Sequence, residues 1–244
     1  MRLDRVLRRK LFGLLNFGNN VECNYCGKTF KQFMAEGVKS PVFLKYKVAG
    51  GGYKKNNYCP SCYSVDRSRL LKLFFELRTN VYKQPTELLH ISPNKEIANA
   101  LIAPTIKQTV GTIEPEMYSE YNPVYMDIQD IKMPDETYDV VVCCHVIEHV
   151  DDAPKAMKEI YRILKKGGFA VLQVPLAINL EKTIEDTTLK TDKERKLKFG
   201  QTDHVRLFGL DYFEKLTLAG FKVDRDNPFT NKWIEDKLLK RYAL

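Results

Sequence analysis

Two apolar rhythms alternate along this chain of 244 residues: short runs without a polar break, and longer stretches with apolar residues three or four apart. The clearest run, Val140-Val141-Val142-Cys143-Cys144, suits a strand covered on both faces. After it, Ala153, Ala156, Met157, Ile160, Ile163 and Leu164 form one helical stripe, with Asp151 or Asp152 placed to cap it and Pro154 in its first turn. Lys165 and Lys166 fall at the negative helix end, Gly167-Gly168 turns the chain, and Phe169 to Val174 returns as a strand. The same alternation predicts a first strand at Glu87 to Ile91 and a helix through Ile97, Ala98, Leu101 and Ile102. A second strand follows at 107–113, and a third ends at Asp127. Further on come a helix from Leu210 to Leu218, a sixth strand from Phe221 to Asp226, and helical spacing at Ile234, Leu238 and Tyr242. Strands alternating with helices predict an α/β chain with a doubly wound, mostly parallel sheet over residues 85–244.

The amino-terminal third follows another pattern. Residues 1–20 read as an amphipathic helix, with Leu3, Val6, Leu7, Leu11, Leu14 and Leu15 against Arg2, Arg5, Arg8, Arg9 and Lys10. Its apolar face permits three uses: packing on its own protein, peripheral contact of residues 1–17 with an anionic membrane surface, or contact with nucleic acid. Within residues 21–65, Cys23, Cys26, Cys59 and Cys62 form two C-x-x-C pairs, which together supply the four thiolates of a closed, structural Zn²⁺ shell. A redox pair is the rival reading. Pro41 to Val48 and the Gly50-Gly51-Gly52 turn suit a β-ribbon carrying both knuckles at its base, and Ser64 can cap a connecting helix over 66–84. Cys143 and Cys144, inside an apolar run, read as core residues.

A formal charge of +8 changes little, since four thiolates around one Zn²⁺ would bring it to about +6. That balance permits nucleic acid without demanding it. No apolar run reaches membrane-spanning length, and the first residues lack a secretory cleavage pattern, so a cytoplasmic protein is expected.

The segments Asp127-Ile128, Met133-Pro134-Asp135, Tyr138 to Val142, Ile147-Glu148-His149-Val150 and Arg162 to Gly168 resemble, in order and spacing, class I S-adenosylmethionine-dependent methyltransferases of the type 11 kind. Arg8-Arg9-Lys10, Val21-Glu22-Cys23, Cys59-Pro60-Ser61-Cys62 and Arg67 to Leu71 are similar to a bacterial branch headed by a Cys₄ zinc ribbon, often found near polysaccharide biosynthesis. The resemblance implies a Rossmann-like fold, S-adenosylmethionine as cofactor and a structural zinc. It also implies a seventh, antiparallel strand. None is visible before Leu244, so the chain is truncated relative to such enzymes or another segment fills the edge, and an open edge favours a dimer.

The resemblance places the cofactor along the strand tips. His90, Ile91, Ser92 and Pro93 stand where most relatives carry a glycine loop, and Ser92 at a helix cap with Pro93 at its first position would still offer free amides to a carboxylate. Glu114 would accept from the ribose hydroxyls, Asp127 and the Ile128 amide would meet adenine, and Cys144 and His145 would pass under the sulfonium. His149 is the first candidate base, with Glu148 orienting it or binding the acceptor. In the insertion 181–208, where Asp192 can cap a helix to Lys198, His204 oriented by Asp203 is a rival base, and Arg206 could bind an acidic acceptor. A structural loop network is the plain alternative for both clusters.

Methyl transfer to a small or carbohydrate-linked acceptor is the leading expectation. A ribosomal or transfer RNA base methyltransferase with a zinc finger for RNA, and a non-catalytic zinc-ribbon and Rossmann binding module, both stay open. The acidic stretches Asp127 to Asp139 and Glu148 to Asp152 argue against RNA at the mouth.

Overall fold

A computed structural model describes residues 2–225 and 232–244, with side chains from Leu7 onward. Five parallel strands form the central sheet: β1 (Thr86–Ile91), β2 (Ile106–Thr112), β3 (Val124–Tyr125), β4 (Tyr138–Cys144) and β5 (Leu164–Gln173). Their order is β5-β4-β1-β2-β3. The winding therefore reverses between β1 and β4, the place where open α/β sheets bind ligands beyond the strands' carboxyl ends.

The apolar run in β4 is continuous because both faces are covered. Val141 and Cys143 join Leu89 and Ile91 beneath α5 (Ala153–Ile163) and α7 (Tyr212–Leu218). Val140, Val142 and Cys144 join Leu88 on the opposite face, beneath α3 (Asp66–Arg78) and α4 (Lys95–Ala100). Burial pushes the Cys144 thiol up to about 12, as suits a small core residue.

Asp152 caps α5 by accepting from the Lys155 amide at 2.9 Å. The helix stops at Ile163, one turn earlier than its sequence pattern, because β5 begins at Leu164. Lys165 is therefore a strand residue paired with Asp139 at 2.9 Å. Thr191, not Asp192, caps α6 (Asp192–Phe199), through a reciprocal capping box with Glu194. Phe221 to Arg225 forms no strand; Phe221 and Val223 pack on the core as irregular chain, while Asp226 lies outside the described residues.

The amino-terminal module departs further from expectation. Helix α1 (Arg2–Leu15) leaves Leu7, Leu11, Leu14 and Leu15 exposed, whereas the Arg9 guanidinium lies over the Tyr58 and Tyr63 rings at 5.2 and 4.5 Å. Pro41–Lys45 is a helix, α2, and not ribbon: Ser40 is its N-cap, Pro41 begins it and Phe43 is buried. Beyond it, Val48–Ala49 pairs antiparallel with Leu176–Ala177 of the sheet domain. Gly200, at φ 89°, lets the insertion close on this arm, since a Cβ there would lie 2.5 Å from the Phe43 ring. The insertion is anchored to the arm through Phe199 and Leu207, which pack with Ala177, while most of Glu181 to Lys198 stays exposed.

Arg69, fully buried, ties the parts together. Its guanidinium donates to the carbonyls of Asn57 (2.9 Å), Ser64 (2.8 Å), Tyr242 (2.7 Å) and Ala243 (3.2 Å). The last two follow α8 (Asp236–Arg241), whose Leu239 packs with Ile234 and Leu73. An Arg69→Met exchange would orphan four carbonyls, so a loss of about 3 kcal/mol or more is expected from urea unfolding. No helix among the described residues is long and apolar enough to cross a membrane.

Candidate active site and metal centre

The two C-x-x-C pairs adopt the same local fold. The Gly27 amide donates to the Cys23 carbonyl at 2.8 Å and the Cys23 amide to Lys28 O at 3.0 Å. Likewise the Tyr63 amide donates to Cys59 O at 3.0 Å and the Cys59 amide to Ser64 O at 2.9 Å. Each turn needs a left-handed residue after its second cysteine, and Gly27 (φ 66°) and Tyr63 (φ 72°) provide it. The turns bring Cys23 Sγ to 3.3 Å from Cys62 Sγ and Cys26 Sγ to 3.8 Å from Cys59 Sγ, close to the ~3.8 Å edge of a tetrahedron with zinc–sulfur bonds of ~2.3 Å. None of the six cysteines is in a disulfide. The Ser64 hydroxyl lies 3.1 Å from Cys23 Sγ, so it supports a sulfur instead of capping α3, whose N-cap is Val65. Hydrogen bonds from Cys26, Cys59 and Cys62 hold the Cys23 thiol far below its ordinary range, while those from Cys23, Cys26 and Cys62 push Cys59 far above. Four sulfurs this close, those of Cys23 and Cys59 buried, cannot all carry charge without a cation, and the donor set fits Zn²⁺.

At the sheet's reversal point the chain leaves β1 at Ser92 (φ 42°) and β4 at His145 (φ 58°), both left-handed without being glycine. Each such residue costs on the order of 1 kcal/mol or more, a strain tolerated where turns serve a site. Ser92 is thus a turn residue and not a helix cap; the N-cap of α4 is Asn94, which leaves Pro93 outside the helix. The Ser92 hydroxyl donates to Thr112 Oγ1 at 3.3 Å, joining the tips of β1 and β2.

Two cavities lie beside these tips, and Ser92, Glu114, Asp127 and Cys144 line neither of them. One, of about 520 Å³, is walled by Pro93, Asn94, Lys95, Glu96, Asn99, Met117 and Tyr118 from the sheet domain and by Tyr25, Cys62 and Tyr63 from the ribbon. Its volume and mixed polar and aromatic lining suit a nucleoside joined to an amino acid. The other, of about 180 Å³, is lined by His145, Arg67, Gln201, Asn57, Asp66 and the Gly50-Gly51-Gly52 arm among others. A larger groove of about 950 Å³ runs past Asp135, Arg162 and Gly167, at the far end of the strands from His145.

The individual candidates fall out unevenly. Glu114 is exposed just beyond β2, its amide donating to Thr112 Oγ1 at 3.1 Å. Asp127 Oδ1 accepts from the Gln129 amide at 2.9 Å, a local turn that leaves its other oxygen lightly engaged, and Ile128 is core. Cys144 ends β4 in the core, next to His145. The His90 and Ile91 side chains are 1% exposed, so neither side chain faces the cleft. His90 instead meets Gln108 Oε1 at 3.3 Å. Burial pushes its imidazole down to about 4. The unfolded chain therefore binds this proton first as pH falls, and the stability contributed by neutral His90 is full above about pH 6.5 and declines toward pH 4, by roughly 3 kcal/mol. Urea midpoints for His90→Gln should show a flatter curve in that window.

Beyond β4 the polar groups gather. Glu148 is buried, its Oε1 3.2 Å from His145 Nδ1 and 3.9 Å from His149 Nε2. His149 Nδ1 lies 3.1 Å from the Asp203 carbonyl oxygen, and its ring meets that of His204 edge-on at 4.8 Å. Burial pushes the His204 imidazole down to about 4. Asp203 faces His149, so it does not orient His204. Arg206 is corrected as an acceptor ligand. All five of its donors are engaged, by the carbonyls of Ile147, Val150 and Asp151 and by the Glu185 carboxylate, because the loop after β4 folds around it. The open guanidinium is Arg67, whose Nε is buried without a partner among the described residues. The sequence carries Arg67 only within a family-like segment and gives it no role at the site, since it reaches the cavity from α3, far along the chain from His145.

Residues 96–172 match the family model described as a methyltransferase domain. No curated protein matches the chain. Among solved structures, a SAM-dependent methyltransferase from Thermotoga maritima overlaps with 21% identity over 63% of this chain and 77% of its own, at a TM-score of 0.40. Another SAM-dependent methyltransferase, from Archaeoglobus fulgidus, overlaps with 17% identity over 64% and 69% respectively, at 0.45. The sheet order, its flanking helices and the matched segment define the Rossmann-like fold of class I methyltransferases.

Proposed function

We propose that the protein transfers a methyl group from S-adenosylmethionine to a small or carbohydrate-linked acceptor, beneath a roof built by a zinc-bound ribbon. The observation that carries this reading is the pair of cavities, one beside the loop after β1 and one beside the loop after β4, with the His145 imidazole and the Arg67 guanidinium in the smaller. S-adenosylmethionine, when bound, supplies a methyl group on a sulfonium, ready for in-line displacement. Asn94 and Lys95 would hold its amino-acid end, Glu114 the ribose and Asp127 the adenine amine. Arg67 and Gln201 would orient the acceptor, the former favouring one with a carboxylate or phosphate. His145, paired with Glu148, is the imidazole in the cavity wall and so takes the acceptor's proton, a role the sequence pattern gives to His149.

Calorimetry with S-adenosylmethionine tests the reading directly. One equivalent should bind, and Asp127→Ala should weaken it by roughly 10- to 100-fold, the range for a hydrogen bond to a charged group. No binding to the full chain would sink the enzymatic assignment, and an unchanged affinity in the variant would remove Asp127 from the site.

The exposed leucines of α1, beside Arg8 and Lys10, fit an anionic membrane surface. Vesicles with acidic lipid are expected to sediment the full chain and not a chain beginning at Asn19.

A further inference from the structure

We propose a second metal site, distinct from the four cysteines, in which Glu148, His149 and His204 hold a divalent first-row transition ion beside the acceptor cavity. One donor atom from each of the three lies within 4.8 Å of the others. Side-chain rotations that close this spacing by up to about 1.5 Å would reach the ~3.3 Å edge of a site with bonds of ~2.0–2.1 Å. Two imidazoles and a carboxylate suit Zn²⁺, Fe²⁺ or Co²⁺, and a three-donor set leaves positions open for an outside ligand.

The burial pattern points to a cation. Glu148 is 1% exposed, and neither of its carboxylate oxygens has a hydrogen-bond partner among the described residues. His204 is 2% exposed and its Nδ1 is likewise unpartnered. A buried carboxylate without donors is expensive by several kcal/mol, and groups of this kind are ordinarily paired or ligate metals. His145, 3.2 Å from Oε1, supplies a neighbour to one oxygen and leaves the second for an ion. Supporting contacts are already in place. The Asp203 carbonyl, 3.1 Å from His149 Nδ1, would fix that ring with Nε2 turned toward Glu148. The Val205 amide donates to Glu148 O at 3.2 Å, pinning the His204 loop to the β4 loop.

An ion here could ligate an oxygen or nitrogen of the acceptor and ease loss of its proton. That consequence rests on the methyl-transfer reading; the existence of the site does not. The test is a Co²⁺ titration of the metal-stripped, reduced full chain, followed by visible absorption. The expected result is two equivalents. One has the thiolate charge-transfer bands of the cysteine site and is lost in Cys26→Ser; the other adds only weak d–d bands. His149→Ala, at a half-exposed position, should weaken the second equivalent by at least roughly 100-fold and leave the first intact. His204→Ala should do the same. A single equivalent in the wild-type chain, or a second equivalent that survives both histidine variants, overturns the site. Since no S-adenosylmethionine is added, neither outcome depends on methyl transfer.

Discussion

With Zn²⁺ in the proposed cysteine site, a Cys59→Ser variant is expected to lose the ion and to melt about 10 °C or more below the parent chain, a shift that corresponds to several kcal/mol in a protein of this size. Structural Zn²⁺ contributes roughly 10–16 kcal/mol to folding in small Cys-rich modules, and one missing thiolate opens the shell. Cys59 is fully buried and directly follows the strand Lys54–Tyr58, so its loss reaches beyond the ion. Asn57 and Ser64, on either side, receive the Arg69 guanidinium that also holds the carboxyl-terminal segment. The arm from α2 to Gly52 lies between the knuckles and forms part of the cavity wall at Phe43 and Gly50. Zinc release with a colorimetric chelator, paired with thermal melting by circular dichroism, checks the prediction; full zinc content at an unchanged melting temperature would reject the structural assignment.

His145→Ala should lower kcat by about 10²- to 10⁴-fold, the range for removal of a positioned general base. The imidazole lines the acceptor cavity, and Gly50 of the ribbon arm approaches so closely that a Cβ there would lie 3.8 Å from its ring. Cofactor affinity by calorimetry should change far less than kcat, because the cofactor contacts proposed at Asn94, Lys95, Glu114 and Asp127 do not include this side chain. Activity within a few-fold of the parent would return the proton transfer to another group. The second cobalt equivalent should persist in this variant, which separates loss of the base from loss of an ion.

Much of the sheet domain was legible because its signals were local and agreed. Val140 to Cys144 could only be a doubly covered strand, and Asp152 with Pro154 marked where α5 begins. The capping box of Thr191 and Glu194 was equally readable, yet Asp192, one residue on, also suits a cap and obscured it. Ser64 misled for another reason: the distant Cys23 sulfur claims its hydroxyl. Pro41 to Val48 carries β-branched and aromatic residues that suit a strand, but Ser40 and Pro41 open a turn of helix once Val42 and Tyr46 have a core to pack on.

By itself the sequence determined the alternation of strands and helices from β1 to β5, the four sulfurs of the amino-terminal module and the gathering of polar residues after β4, since each depends on neighbours within a few turns. Tertiary structure alone decided which of those polar groups face a cavity. It buried Arg206 among carbonyls, brought Arg67 in from the ribbon's helix, and set His145, instead of His149, in the cavity wall, because those outcomes depend on packing between segments more than fifty residues apart.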